Sequence, residues 1–119
     1  MSYPPHVEIL IVDDDTMTAL VHSQILKQLS VRIDSSLYAD GQEALDYICH
    51  HPNPNTTFLV FLDLKMPVMD GWEFLDQCKL LKNYQNICVV VITSSINSED
   101  LYRDLEYKNV MGFSSKPFT

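Results

Sequence analysis

Residues 57–63 read Thr57-Phe58-Leu59-Val60-Phe61-Leu62-Asp63, a run of apolar side chains that stops on an acid. Continuous apolarity of this kind marks a strand covered on both faces, as in a parallel sheet. Earlier in the chain, Val7-Glu8-Ile9-Leu10-Ile11-Val12 is a β-branched run that ends abruptly on Asp13-Asp14-Asp15. Later, Ile87 to Ile92 is a continuous β-branched strand, and Val110 to Ser114 reads as a short fifth one. A weaker strand is expected around Ile33 to Ala39.

Helical spacing fills the intervals. From Thr16 to Ser30, apolar residues recur at Met17, Val21, Ile25 and Leu29, with Leu20 and Leu26 beside them. Asp40-Gly41-Gln42-Glu43 has the form of a capping box, followed by a buried stripe of Ala44, Leu45 and Ile48. Pro52-Asn53-Pro54-Asn55 ends that helix in a surface loop. Asp70-Gly71-Trp72-Glu73 repeats the box and opens a helix through about Lys82, with Phe74, Leu75, Cys78 and Leu81 inward. Asn97 or Ser98 caps a short helix around Leu101, Tyr102 and Leu105. Strand and helix alternating from end to end predict an α/β fold on a parallel sheet. Such sheets place ligands in the crevice beyond the carboxyl ends of their strands.

Composition narrows the function. The chain has 119 residues, enough for one domain and its core but not for two. With 46% hydrophobic and 20% charged residues it has the balance of a soluble globular protein. No apolar run approaches the ~20 residues that cross a bilayer. Met1-Ser2-Tyr3-Pro4-Pro5 lacks the basic segment and apolar stretch of a secretory signal, so a cytoplasmic setting without membrane contact is expected. The net charge of −8 and the scattered Lys and Arg disfavour nucleic acid as a partner. Cys49, Cys78 and Cys88 form no C-x-x-C pair and read as small hydrophobes inside helices or strands.

The polar residues at the strand ends carry the chemistry. Asp13, Asp14 and Asp15 follow the first strand, Asp63 the third, Thr93 the fourth and Lys116 the fifth. A parallel sheet brings all of them to one rim. Two unit charges ~4 Å apart repel by about 4 kcal/mol at an effective dielectric of ~20. Either a carboxyl stays protonated or a cation is present. Mg2+ suits the second case, because it uses one or two carboxylates, several waters and a substrate phosphate. Thr93 and Lys116 would then offer a hydrogen bond and a charge to phosphoryl oxygens.

Four blocks carry a resemblance to a known family. They are Ile11-Val12-Asp13-Asp14-Asp15, Leu62-Asp63-Leu64-Lys65-Met66-Pro67-Val68-Met69-Asp70-Gly71, Ile92-Thr93-Ser94 and Ser115-Lys116-Pro117-Phe118. In this order they resemble the receiver domains of bacterial two-component response regulators, over essentially the whole chain. The resemblance implies a doubly wound, five-stranded parallel sheet in a flavodoxin-like (CheY-like) three-layer sandwich. It implies that Asp63 is the phospho-acceptor and nucleophile. Asp14, Asp63 and the backbone carbonyl of Lys65 would bind Mg2+ directly, with Asp13 acting through metal-bound water; Mn2+ can substitute. Thr93 would bond the phosphoryl group and move on activation, Lys116 would pair with Asp63 or its phosphate, and Phe113 would be the switching aromatic. The implied donor is a phosphohistidine on a sensor histidine kinase or histidine phosphotransfer protein, and loss of the phosphate is partly self-catalysed. The implied recipient of the signal is a downstream protein or output domain, bound at the face of the helix after Thr93 and the strand carrying Phe113; a phosphorylation-dependent homodimer through that face stays open. Receivers of this pattern continue into a fifth helix. Residues 1–119 are therefore expected to be a single receiver domain shortened before its last helix, with apolar surface on one sheet face.

Blander readings stand beside these. Asp15 reads as a solvated acid at a helix start and Asp70 as a helix cap. Trp72 is expected to be partly exposed packing. His50 and His51 are neighbours at a helix end, where side chains diverge, so a metal site there is disfavoured. The strand-end acids and Lys116 would, on the bland view, form a buried ion-pair network. Among other functions, a degenerate receiver used only for protein contact conflicts with the complete set of acids, hydroxyl and lysine. An aspartyl phosphohydrolase of the haloacid-dehalogenase type needs a second acid two residues after the nucleophile, where this chain has Lys65. A flavodoxin needs a hydroxyl- and glycine-rich phosphate loop where this chain has three acids.

Overall fold

The computed structural model describes residues 6–15, 24, 35–51, 55–64, 66, 69–93, 103 and 106–115, with only the backbone of His6, Ser35, Thr93, Ser114 and Ser115. The expected helix over Thr16–Ser30 and the one around Leu101 lie outside these residues, apart from Gln24 and Arg103, both helical.

Strands β1 (His6–Val12), β2 (Ser35–Tyr38), β3 (Thr56–Leu62), β4 (Ile87–Thr93) and β5 (Val110–Ser115) form one sheet in the order β2-β1-β3-β4-β5. Every pairing is parallel, with Ile11 opposite both Leu37 and Phe61, and Leu62 opposite Val91. That order is the flavodoxin-like one, and it reverses direction between β1 and β3. The expected fold class is therefore observed. The β-branched and aromatic runs explain the choice of strand: they fit a pleated surface buried on both sides.

Two helices of the described residues cover one face. Helix α1 spans Gly41–Cys49 and presents Gly41, Ala44, Leu45 and Ile48 inward. Helix α2 spans Gly71–Cys78 and buries Gly71, Trp72, Phe74, Leu75 and Cys78. They close a core with Leu10, Val12, Phe58, Val60, Leu62, Val89 and Val91 from the sheet. Phe58, Phe74, Leu10, Leu62 and Leu75 are fully buried, and each such side chain contributes about 1.5–3 kcal/mol of transfer free energy. On the other face Ile9, Ile11, Phe61 and Ile92 form a smaller cluster. Val7 and Leu37 beside it are substantially exposed.

Both helices start where the sequence places their caps. Asp70 Oδ1 accepts from the Glu73 amide at 2.8 Å, and the Asp70 amide donates back to Glu73, so this box is complete. At α1 the first half is formed, with Asp40 Oδ1 accepting from the Glu43 amide at 2.9 Å. The end of α2 differs from the expectation of about Lys82. The amides of Leu80 and Leu81 donate to Gln77 and Cys78, three residues back, so the helix tightens and stops. A turn then leads through the 3-10 helix Tyr84–Asn86 into β4.

Three further sequence expectations change. Trp72 is buried rather than partly exposed, because Tyr107 and Arg103 close over its ring. Cys49 is exposed, since it sits one position past the inward Ile48 and helical rotation turns it to solvent. Cys88 is only partly buried, which leaves Cys78 as the one cysteine of the three that behaves as a core hydrophobe.

Candidate metal centre

The ladder between β1 and β3 delivers the acids. Val12 pairs with Leu62, and the next amide, that of Asp63, donates to the Val12 carbonyl at 2.9 Å. On the other side the Asp13 amide donates to the Tyr38 carbonyl at 2.9 Å, continuing the β1–β2 pairing. Asp13 and Asp63 thus leave adjacent strands at the same height, each held by its own backbone. Asp13 also accepts from the Asp15 amide at 2.9 Å, which folds the chain after β1 into a tight turn.

Carboxylate oxygens of Asp13, Asp14 and Asp63 all lie within 4.8 Å of one another. Asp13 and Asp63 are 5% and 6% exposed, whereas Asp14 faces solvent. Two buried acids beside a third at this spacing are mutually repulsive. A hard divalent cation relieves that repulsion and takes oxygen ligands at every position offered. The exposed side at Asp14 leaves room for water ligands and for an incoming anion. The donor set, entirely oxygen and without His or Cys, fits Mg2+ or Mn2+ and does not fit a zinc site.

Backbone packing fixes the loop after Asp63. The Gly71 amide donates to the Leu64 carbonyl at 2.9 Å. A Cβ on Gly71 would fall 2.7 Å from both the Asp63 carbonyl oxygen and Leu64 Cα. Only glycine lets the start of α2 sit directly on the residues that carry the acid. This role is concealed in the sequence, where the Asp-Gly pair reads simply as a cap and a helix start.

The other expected site residues divide clearly. Thr93 ends β4, with its backbone in register with Ser115, and its side chain lies outside the described residues. Lys65 and Lys116 lie outside them as well. Phe113 is half-buried in β5 and packs against the main core. Asp15 is exposed, as a solvated acid would be. His50 and His51 diverge: His50 bonds the Asp46 carbonyl through Nδ1 at 2.8 Å, while His51 turns inward to pair with Glu8. Tyr47 donates to the same Glu8 carboxylate, and the Tyr47 and Phe58 rings lie edge-on to His51. This cluster stands at the amino end of β3, remote from the acidic rim. Burial, and then Glu8, push the Tyr47 phenol up. Among the described residues, Asp13, Asp14 and Asp63 are the group able to hold a metal.

Known proteins share this fold. The family model of the response regulator receiver domain matches residues 9–119. The probable methanogenesis regulatory protein FilR2 of Methanothrix harundinacea is 33% identical over 114 residues, covering 93% of this chain and 72% of its own. Response regulator Rcp1 of Synechocystis is 32% identical over 111 residues, covering 88% and 73%. The solved Mn2+-bound form of response regulator Rcp1 superposes with a TM-score of 0.76 at 28% identity, over 97% of this chain and 84% of that one. With a matched family model across nearly its whole length and the acids gathered at the switch point of the sheet, the chain belongs to the response regulator receiver domain family.

Proposed function

We propose that Asp63 accepts a phosphoryl group from a phosphohistidine donor in an Mg2+-dependent reaction. Family membership makes the chain a receiver of two-component signalling, and the residue roles are the further step. The observation that carries it is the meeting of Asp13, Asp14 and Asp63 within 4.8 Å at the ends of β1 and β3. A bound divalent ion supplies charge neutralisation for the carboxylates and for the transferred group. The Mn2+-bound form known for Rcp1 supports that choice of ion.

Asp63 is held in place by the hydrogen bond that its amide donates to the Val12 carbonyl and is buried enough to be poorly hydrated. One of its oxygens attacks phosphorus, a P–O bond forms, and the P–N bond to the donor imidazole breaks. The departing nitrogen keeps the electron pair, and the ring leaves as neutral imidazole when its other nitrogen already carries a proton, or after taking one from solvent. Asp14 and Asp63, with the Lys65 carbonyl, would hold the ion directly and Asp13 would act through water, the ion supplying charge neutralisation. Thr93 and Lys116 would offer a hydrogen bond and a charge to the phosphoryl oxygens, and Phe113, half-buried in β5, would report the change to the outer face. The donor is a sensor kinase or phosphotransfer protein of the cytoplasm, and the signal passes to a downstream protein or output domain.

Intact mass after incubation with Mg2+ and acetyl phosphate tests this reading. One added phosphoryl group, absent in Asp63→Asn, is the expected result. No uptake from acetyl phosphate or from a phosphohistidine donor would leave a receiver that works only by contact.

A further inference from the structure

Trp72 is the single tryptophan of the chain and follows directly on Gly71, the residue pressed against Asp63 and Leu64. Its ring is buried, with the Tyr107 ring 5.6 Å away at an interplanar angle of 30° and the Arg103 guanidinium 4.7 Å from its centroid. Tyr107 is itself 4% exposed and donates its hydroxyl to Asp76 on α2 at 2.7 Å. Lys79 lies 4.3 Å over the Tyr107 ring and donates to the Glu106 carbonyl at 3.3 Å. Cation, indole, phenol and cation therefore stack in sequence between α2 and the segment that leads into β5.

We propose that Trp72 is a positioning residue for the acidic site: gripped by Tyr107 and Arg103, it presses the first turn of α2 onto the backbone that carries Asp63. Several contacts continue the path on either side. The Gly71 amide bonds the Leu64 carbonyl at 2.9 Å. The Val110 amide bonds the Tyr107 carbonyl at 3.2 Å, and the Val89 amide the Asn109 carbonyl at 2.8 Å, tying the stack to β5 and β4. Arg103, Tyr107 and the start of the loop after β3 are thus joined through Trp72 and Gly71. A cation over a largely desolvated indole is a directional contact, so shifting Arg103 changes how firmly Trp72 is seated. Linkage then requires the reverse effect: an ion held at Asp63 changes the seating of Trp72.

The inference rests on Asp63 as the site of metal and phosphoryl binding, and the test separates the two. Mg2+ is titrated into the full chain and followed by calorimetry and Trp72 emission, with intact mass read after acetyl phosphate. Arg103→Gln and Tyr107→Phe should weaken Mg2+ binding and slow phosphoryl uptake by about fivefold or more, and Arg103→Lys should restore most of the loss. Arg103 is exposed, so its replacements retain the fold. Ile48→Val, which lowers stability away from the stack, should leave Mg2+ affinity unchanged. Wild-type affinity and uptake rate in both Arg103→Gln and Tyr107→Phe would overturn the positioning role while phosphoryl uptake stood. Mg2+ binding without phosphoryl uptake would defeat the proposed acceptor alone, with the Mg2+ arm still deciding the role of Trp72. A wild-type chain that binds no Mg2+ would defeat both.

Discussion

The Asp63 amide donates to the Val12 carbonyl at 2.9 Å, one step past the last paired residues of β1 and β3. That single bond sets Asp63 beside Asp13, because each acid is the first residue after a strand and the strands are parallel and in step. The strand ladder is therefore what forces the carboxylates together, and the repulsion between them is a cost of the fold itself.

Neutralising one acid should relieve that cost and remove its benefit together. In the presence of chelator, Asp63→Asn should raise stability by on the order of 1 kcal/mol, well below the unscreened ~4 kcal/mol for a close pair. Wild-type protein with Mg2+ at about a hundred times its dissociation constant should gain about 2.7 kcal/mol, and Asp63→Asn far less. Urea unfolding with and without Mg2+ reads both. A wild-type midpoint that ignores Mg2+ would contradict the assignment.

Gly71→Ala should be among the costliest small substitutions in the chain. The added Cβ would stand 2.7 Å from backbone atoms of Asp63 and Leu64, which cannot swing aside. A loss of ~1–3 kcal/mol is expected, with weaker Mg2+ binding. At Gly41 the nearest atoms are Met69 Sδ at 3.2 Å, on a flexible side chain, and Phe74 Cβ at 3.3 Å, both farther than the atoms around Gly71, so Gly41→Ala should cost less. Denaturant midpoints of the two variants give the comparison; equal losses would refute it.

Asp70 serves as a cap and its value is separable from the site. Asp70→Ala removes the 2.8 Å bond to the Glu73 amide and should cost about 1 kcal/mol. Asp70→Ser should recover most of it. A circular-dichroism melt of the three proteins suffices, and an unaffected Asp70→Ala would show that the box contributes nothing.

Alkaline pH should destabilise the protein from about pH 9 upward. Burial pushes the Cys78 thiol from 9.0 up to about 12. Below the lower value the thiol is protonated in both states. Between the two, the unfolded chain releases a proton that the folded chain keeps, so stability falls as pH rises. Tyr38, Tyr47 and Tyr107, each raised from 10.0 chiefly by burial, extend the same trend. Urea midpoints across this range should decline, and Cys78→Ala should flatten the first part of the decline. In the native state a thiol reagent should modify the exposed Cys49 well before Cys78.

The sequence made the acidic rim legible because strand ends in a parallel sheet share one edge, so Asp13, Asp14 and Asp63 needed only the correct strands. Caps at Asp40 and Asp70 were legible for a similar reason: their partners are three residues away. Trp72 was misjudged because its burial comes from Tyr107 and Arg103, which lie far along the chain. The Glu8, Tyr47 and His51 cluster was missed because it joins β1, α1 and the second residue beyond α1, and nothing local announces such a meeting. Gly71 was visible as a letter but not as a contact, since the atoms it must clear belong to residues seven and eight positions back, at the start of the same loop.

The pairing of β4 with β5 slips between Val89 and Val90, so that Val89 faces Val110 while Val90 faces Gly112. Met111 is the surplus residue and is 69% exposed. The slip is why Val110 and Phe113, three apart, both reach the same core, which an uninterrupted pleat would forbid. Chain length is consequently slack in the last strand and strict in the third. One residue could be lost between Val110 and Phe113 with both still directed inward, whereas one lost within β3 would turn every later side chain of that strand over and carry Asp63 away from its neighbours.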